Sequence, residues 1–223
     1  LKVYMPNFIK KQEKKKKLNT IIYIFMFAIG IVLGSFYTLA VYRIPLKQDI
    51  THTRSYCPKC NHRLNFWDLI PVFSYIFLGG KCRYCKEKIR PRYIIIETLS
   101  GIVFLLYAIL LDIDLLNIEY SKIATLIFGI LFFSTIFIII GILKENKKIQ
   151  TSVFNFGIIS EVAYMIYLYI LDTSIYRYII YIPIFMLMTF INNNKKINEK
   201  FKIIAFMIFI LIGIFEVSMI LIS

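Results

Sequence analysis

The feature that most constrains this chain is a succession of six apolar runs, each close to the roughly 20 residues that a helix needs to cross about 30 Å of hydrocarbon. They are Asn19 to Val41, Tyr93 to Leu111, Ile123 to Ile142, Thr151 to Leu171, Arg177 to Ile191 and Ile203 to Ile222. The fifth is the shortest and contains Pro183. With 59% hydrophobic residues among 223, the chain is too apolar for an ordinary soluble domain. The pattern therefore predicts an all-α polytopic membrane protein with the lipid bilayer as its solvent. The basic excess, a formal +14, lies mostly between the apolar runs, where cationic loops meet an anionic cytoplasmic leaflet. No separate basic stripe with interleaved aromatics stands apart from the membrane flanks, so nucleic acid is not an expected partner.

Charge also predicts the topology. The segment from Tyr42 to Arg92 holds eleven Lys and Arg against Asp49, Asp68 and Glu87, which places it in the cytosol. Asp112, Asp114 and Glu119 mark the next loop as outer, Lys144, Lys147 and Lys148 the third as inner, Asp172 a short outer turn, and Lys195, Lys196, Lys200 and Lys202 the last as inner. The first run is the exception. Its leader, with Lys2, Lys10, Lys11, Lys14, Lys15, Lys16 and Lys17, falls outside if that run crosses. A start-site artefact, a first helix that does not cross, and packing that overrides the charge bias all account for this. The run is too long for a signal-peptide core, and no small-x-small cleavage pattern follows, so an uncleaved anchor is expected. The resulting plan is a basic segment over 1–18, a first span over 19–41, a cysteine-bearing domain over 42–92, and a bundle of about five helices over 93–223.

All four cysteines fall in the first inner loop, as Cys57, Cys60, Cys82 and Cys85. Two C-x2-C turns on a reducing face point to metal rather than disulfides, and four thiolates complete a tetrahedron with no position open for water. The expected site is structural zinc in a small zinc-ribbon-like insert. His62 is close enough to compete, but the shell is already full, which leaves it a solvated loop residue. The stretch Leu69 to Leu78 is apolar yet too short to span, and reads equally as a small core or as an interfacial segment. Apart from the lysine-rich start, no internal repeat is visible.

GSFYTLAVYRIP (Gly34 to Pro45) and SYCPKCNHRLNFWDLIPVFSYIFLGGKCRYCKEKIRPRYIIIETLSG (Ser55 to Gly101) resemble the N-terminal region of bacterial type IV prepilin peptidases. The resemblance rests on the two cysteine pairs, the Asp-Leu-Ile-Pro between them, and an Arg-Tyr leading into a span with Glu97; Thr38 stands where the family usually has Asn. It implies an integral enzyme of the bacterial inner membrane that removes the basic leader from prepilins and pseudopilins, and in many members methylates the new N-terminus with S-adenosylmethionine. Glu97 then becomes a candidate for holding a cationic leader or the methyl donor, and pairing with Arg90 or Arg92 is the structural alternative.

The resemblance fades where the family places its two catalytic aspartates. Such a dyad needs one ionised and one protonated carboxyl group. Leu143 falls near the first position, in GILKENKKIQ (Gly141 to Gln150), and Lys200 at the second, in KKINEKFKIIA (Lys195 to Ala205). The only acids nearby are Glu145 and Glu199. They serve either as a displaced dyad or as solvated partners of neighbouring lysines, and a lysine-rich setting keeps both ionised. The chain also runs only about one span past the second region. Together these points lead to the expectation of a divergent, peptidase-inactive member, with two alternatives: a protein that binds or N-methylates prepilins without cutting them, and a non-catalytic zinc-bearing membrane scaffold. Glu161 and Glu216, inside apolar runs, are further candidates on the general ground that intramembrane acids are costly.

Overall fold

In the computed structural model, which describes residues 4–114, 119–170, 175–194 and 197–222, each of the six apolar runs coincides with a helix, Leu111 falling one residue past its helix and Leu171 outside the described residues. These helices are α1 (Tyr4–Arg43), α3 (Arg92–Leu110), α4 (Tyr120–Lys144), α5 (Thr151–Ile170), α6 (Ile175–Asn193) and α7 (Glu199–Ile222), with a five-residue helix α2 (Phe73–Phe77) in the cysteine-bearing loop. Among the described residues, the stretches Ile9–Leu46, Arg92–Leu110, Tyr120–Lys144 and Thr151–Ile170 are long and apolar enough to cross a membrane, and Tyr181–Asn193 is a shorter apolar helix. The chain is an all-α, multi-pass membrane protein. Asp172, Lys195 and Lys196, which carry part of the topology reading, and the side chain of Glu216 lie outside what the structure describes.

From Tyr4 onward α1 runs unbroken through the basic leader into the first span. Lys, Gln and Glu are good helix formers, and no glycine or proline interrupts the chain between Pro6 and Gly30. Lys15 Nζ lies 3.2 Å from Asp114 Oδ2. The lysine-rich end of α1 therefore shares one end of its unit with Asp114, which follows α3.

The chain divides into two compact units. The first comprises Leu1–Thr38 and Thr51–Leu126. Here α1 and α3 approach closely through small residues. A side chain at Gly30 would come within 2.7 Å of the backbone at Gly101, and one at Gly34 would strike Ser100 Oγ and come within 2.7 Å of Glu97 Cα. Gly30 and Gly34 are one helical turn apart on one face, the small-xxx-small arrangement that lets helix backbones meet in lipid. Ser100 Oγ donates to the carbonyl of Gly30 at 2.7 Å, so the contact is also hydrogen-bonded across the helices. Further along, the Tyr107 hydroxyl donates to Thr125 O at 2.9 Å and ties α3 to the start of α4.

The second unit comprises Leu39–Ile50 and Ile127–Ser223. Its buried core is aromatic: the Phe209 ring lies 5.2 Å from Phe132 and 5.8 Å from Phe154, with Phe206 stacked beside it. Gly157 on α5 admits Thr135 and Phe209 to its backbone, and Gly213 admits the ring of Phe132. Aromatic pairs at these separations add to the dispersion contacts that hold helices together where lipid is as apolar as the core. Glu161 is buried on α5 in this unit.

Candidate metal centre

The two cysteine turns have the same backbone. Cys57 N donates to His62 O at 3.0 Å and Asn61 N to Cys57 O at 2.9 Å; in the second turn Cys82 N donates to Glu87 O at 2.8 Å and Lys86 N to Cys82 O at 3.1 Å. Each turn is closed further out by an equivalent bond, Leu64 N to Ser55 O at 3.0 Å and Ile89 N to Gly80 O at 2.7 Å. A single antiparallel bridge accompanies each, Tyr56 with Arg63 and Lys81 with Lys88. Asn61 and Lys86, directly after the second cysteine of each pair, both adopt positive φ, 56° and 59°. Every position in the second turn falls 25 residues after its counterpart in the first. The insert is thus a pair of repeated knuckles, each carrying one isolated antiparallel bridge. The absence of an internal repeat, read from the sequence, is corrected: besides the cysteines the two turns share almost no residues, so the repeat exists in the hydrogen bonds and not in the letters.

Folding brings the four sulfurs together. All lie within 4.8 Å of one another, and Cys57 Sγ is 3.8 Å from Cys85 Sγ. None is in a disulfide. A tetrahedron of thiolates about 2.3 Å from a central ion has edges of about 3.8 Å, so the donor set has the size and chemistry to hold a metal. The first cysteine of each pair is buried and the second is exposed. Burial is the strongest influence on Cys57 and opposes its ionisation, yet backbone N–H groups of Cys60 and Lys59 bring its pKa down to about 7. At Cys85 a backbone N–H at Glu87 favours the thiolate, but burial and the neighbouring sulfurs push the pKa up to about 11. Crowded sulfurs cannot all carry charge unaided. A cation at their centre removes that conflict.

The knuckles are braced by polar contacts that the sequence did not disclose. Asp68, whose side chain is only 2% exposed, accepts from Arg83 Nε at 2.6 Å and from Asn65 N at 3.2 Å. Asn65 Nδ2 donates to the Tyr84 hydroxyl at 2.9 Å, and the His62 ring lies on Tyr84 with centroids 3.6 Å apart. Asp68 thus links the segment between the knuckles to the second knuckle. Burial works against its charge most strongly, but the bonds from Arg83, Asn65 and Tyr84 prevail and hold its pKa below the usual carboxylate value. A depressed folded-state pKa contributes stability that is present above the ordinary carboxylate range and is lost as pH falls through the depressed value. Acidification below that range is therefore expected to loosen the brace, and Asp68→Asn to flatten this part of the acid response, as read by protease resistance of the loop across pH.

Glu97 has a definite occupation. Its Oε2 accepts from the backbone N–H of Val72 at 2.7 Å, and the Ser35 side chain hydrogen-bonds to it. Val72 is β-branched with φ of 63°, a region such residues avoid, and this bond helps hold it there, at the start of α2. The carboxylate joins the cysteine-bearing loop to α1 and α3.

Glu145 and Glu199 occupy separate elements. Glu145 follows α4 in the turn before α5, and Glu199 is the first residue of α7, where Lys202 Nζ lies 3.4 Å from its Oε1. Leu143 stands in the last turn of α4 and Lys200 in the first turn of α7, where Asn198 Oδ1 caps the Lys200 N–H at 3.2 Å.

Comparison with known proteins falls on the same region. Residues 28–111 match the family described as Bacterial Peptidase A24 N-terminal domain. The chain is 41% identical over 85 residues to a prepilin leader peptidase/N-methyltransferase of Vibrio cholerae, 34% of each chain being covered. It is 40% identical over 81 residues to one of Myxococcus xanthus, covering 36% of this chain and 24% of that protein. Over 79 residues it is 40% identical to one of Bacillus subtilis, covering 35% and 32%. The alignments thus span about a third or less of these curated relatives. No solved structure matches. The cysteine-bearing N-terminal region of this chain, spanning the knuckles and the helices on either side, is thus similar to the corresponding region of bacterial prepilin leader peptidase/N-methyltransferases.

Proposed function

We propose that this is a prepilin peptidase-like protein of the bacterial inner membrane, working in a type IV pilus or type II secretion-like system, whose knuckle module holds structural zinc on the cytosolic face. The observation that carries the reading is the coincidence of the four-sulfur cluster with the region similar to prepilin leader peptidase/N-methyltransferases. Four thiolates leave no open coordination position, so zinc here fixes the two knuckles relative to each other and activates no water. The partners are leader peptides of prepilins or pseudopilins. Their basic leaders meet the protein on the side that the charge pattern assigns to the cytosol.

In this reading the chain engages prepilins without cutting them. Aspartic proteolysis needs a carboxyl pair that shares a proton, whereas Leu143 and Lys200 stand at the positions the resemblance assigns to that pair, and Glu199 is paired with Lys202. Glu97, the candidate for donor or leader binding, serves as a positioning group through Val72 and Ser35. S-Adenosylmethionine is the donor to test for any methyl transfer.

The test is incubation of the purified protein with a prepilin carrying its leader, with and without S-adenosylmethionine, read by intact mass. The expected result is an unchanged leader in a preparation where an active relative cuts the same substrate. Loss of the leader mass contradicts the inactive reading and directs attention to Glu145→Gln and Glu199→Gln, each of which must then abolish cleavage if the displaced dyad is real.

A further inference from the structure

One surface of the first unit has a composition that an aqueous domain avoids. In α2, Phe73, Ile76 and Phe77 are exposed, Phe77 by 84%, and their spacing of three and four residues puts them on one helical face. The other side of α2 is turned to the knuckle: Tyr75 packs under Gly80, with its hydroxyl 3.5 Å from Ile89 O. Beside this face, Phe66 and Trp67 are 74% and 70% exposed. Trp67, Ile70, Phe73 and Phe77 line a common hollow of about 430 Å³, so the patch is continuous. Patches of this kind mark a surface that is covered in use.

The position of α2 in the unit identifies what covers it. Its first turn is bonded through Val72 N to Glu97, which lies about 7 Å along α3 from Arg92 at the helical rise of about 1.5 Å per residue. Helical side chains lean toward the helix N-terminus, so the Glu97 carboxylate and the Val72 amide sit at the level of the opening turns of α3. Those turns lie where a membrane span passes from headgroups into acyl chains. The same loop is rich in exposed cations, among them Lys59, Arg63, Lys81, Lys88 and Arg90, a composition that matches the phosphates of a phospholipid surface.

We propose that α2 and the turn carrying Trp67 form a lipid-binding surface, immersed at the headgroup and acyl boundary of the membrane that α1 and α3 cross. Phe73, Ile76, Phe77 and Trp67 enter the outer acyl region, and exposed cations of the same loop engage lipid phosphates. The knuckle module is thereby laid against the membrane instead of standing free of it. Of the two sequence readings of Leu69 to Leu78, small core or interfacial segment, the exposed face favours the second.

Trp67 is the sole tryptophan, so its fluorescence reports on this surface alone. The experiment places the full, metal-replete chain in lipid nanodiscs whose phospholipids carry either ordinary or brominated acyl chains, with aqueous iodide as the opposing quencher. The expected result is loss of roughly half or more of the Trp67 emission to bromines in the upper acyl region, with little loss to iodide, as for a side chain buried about 5–10 Å into the boundary. The double substitution Phe73→Ser and Phe77→Ser is expected to exchange these sensitivities while metal content stays the same. Trp67 that is open to iodide and indifferent to brominated lipid overturns the proposal, and the wild-type chain alone suffices to show it. Protection that appears only on adding a leader peptide, or only as chain concentration rises, also overturns it, by assigning the surface to a protein partner or a second copy. These outcomes do not depend on whether prepilins are cut.

Discussion

Cys57→Ser is expected to release the metal and, with it, the order of the whole cysteine-bearing loop. The loop has little else to fold around. Apart from Cys57 and Cys82, the residues between Thr51 and Arg90 are half-buried or exposed, and its regular structure amounts to two isolated bridges and short helical turns. Binding of structural zinc by small knuckle motifs is worth on the order of 10 kcal/mol or more near neutral pH, far beyond what the Asp68 brace or the two αL turns can supply. Because every ligand must lose its proton, metal loading is expected to release protons and to weaken as pH falls. Limited proteolysis of the membrane-embedded chain measures this directly. Wild type is expected to resist cleavage between the two cysteine pairs until a strong chelator is added, whereas the variant is cut there without chelator. Equal resistance in both would place the order of the loop elsewhere.

A large side chain at Gly34 is expected to be nearly as damaging, through a different part of the same unit. No cavity exists for it, because Ser100 Oγ and the backbone at Glu97 and Ile96 already occupy the position of a Cβ. Gly34→Ala is expected to cost about 1–3 kcal/mol, the usual penalty of overpacking. Gly34→Leu is expected to separate α1 from α3, since neither backbone can move without breaking the Ser100 bond to Gly30. The disturbance reaches the metal module because Glu97 holds Val72 from the same stretch of α3. Glu97→Ala isolates that link, leaving a buried N–H without its acceptor at about 1–3 kcal/mol. Thermal unfolding in detergent, followed together with metal retention, ranks the three variants. Gly34→Leu is expected to be the most severe, and retention of wild-type stability by that variant would show that α1 and α3 do not depend on close contact.

The legible parts of this molecule were those set by length and spacing. Six runs of membrane length became six helices, because a chain in hydrocarbon must satisfy its own backbone and the helix does so locally. The cysteine pairs became one cluster because C-x2-C confines two thiols to one turn, and their chemistry is carried by the letters themselves. What escaped depends on residues that only the fold brings together. Glu97 reads as a ligand-binding acid or as a partner of Arg90 or Arg92, and nothing in the sequence says that the N–H of residue 72 also returns to it. The sequence places Asp68 between the cysteine pairs, but only the fold brings Arg83 and Asn65 onto it. The knuckle repeat was hidden because backbone hydrogen bonds and one αL residue define it, and Asn61 and Lys86 share that conformation without sharing a side chain. The lysine-rich leader is set apart by charge, and α1 continues through it because no glycine or proline falls between Pro6 and Gly30.

The account rests on a closed four-thiolate centre at the heart of the region that resembles prepilin peptidases. X-ray absorption at the zinc edge, on the purified full chain, tests this most directly. The predicted result is a single shell of four sulfurs at about 2.3 Å with no nitrogen or oxygen ligand, as in structural zinc sites. A shell in which nitrogen or oxygen replaces a sulfur, or a replete preparation without bound zinc, would contradict it.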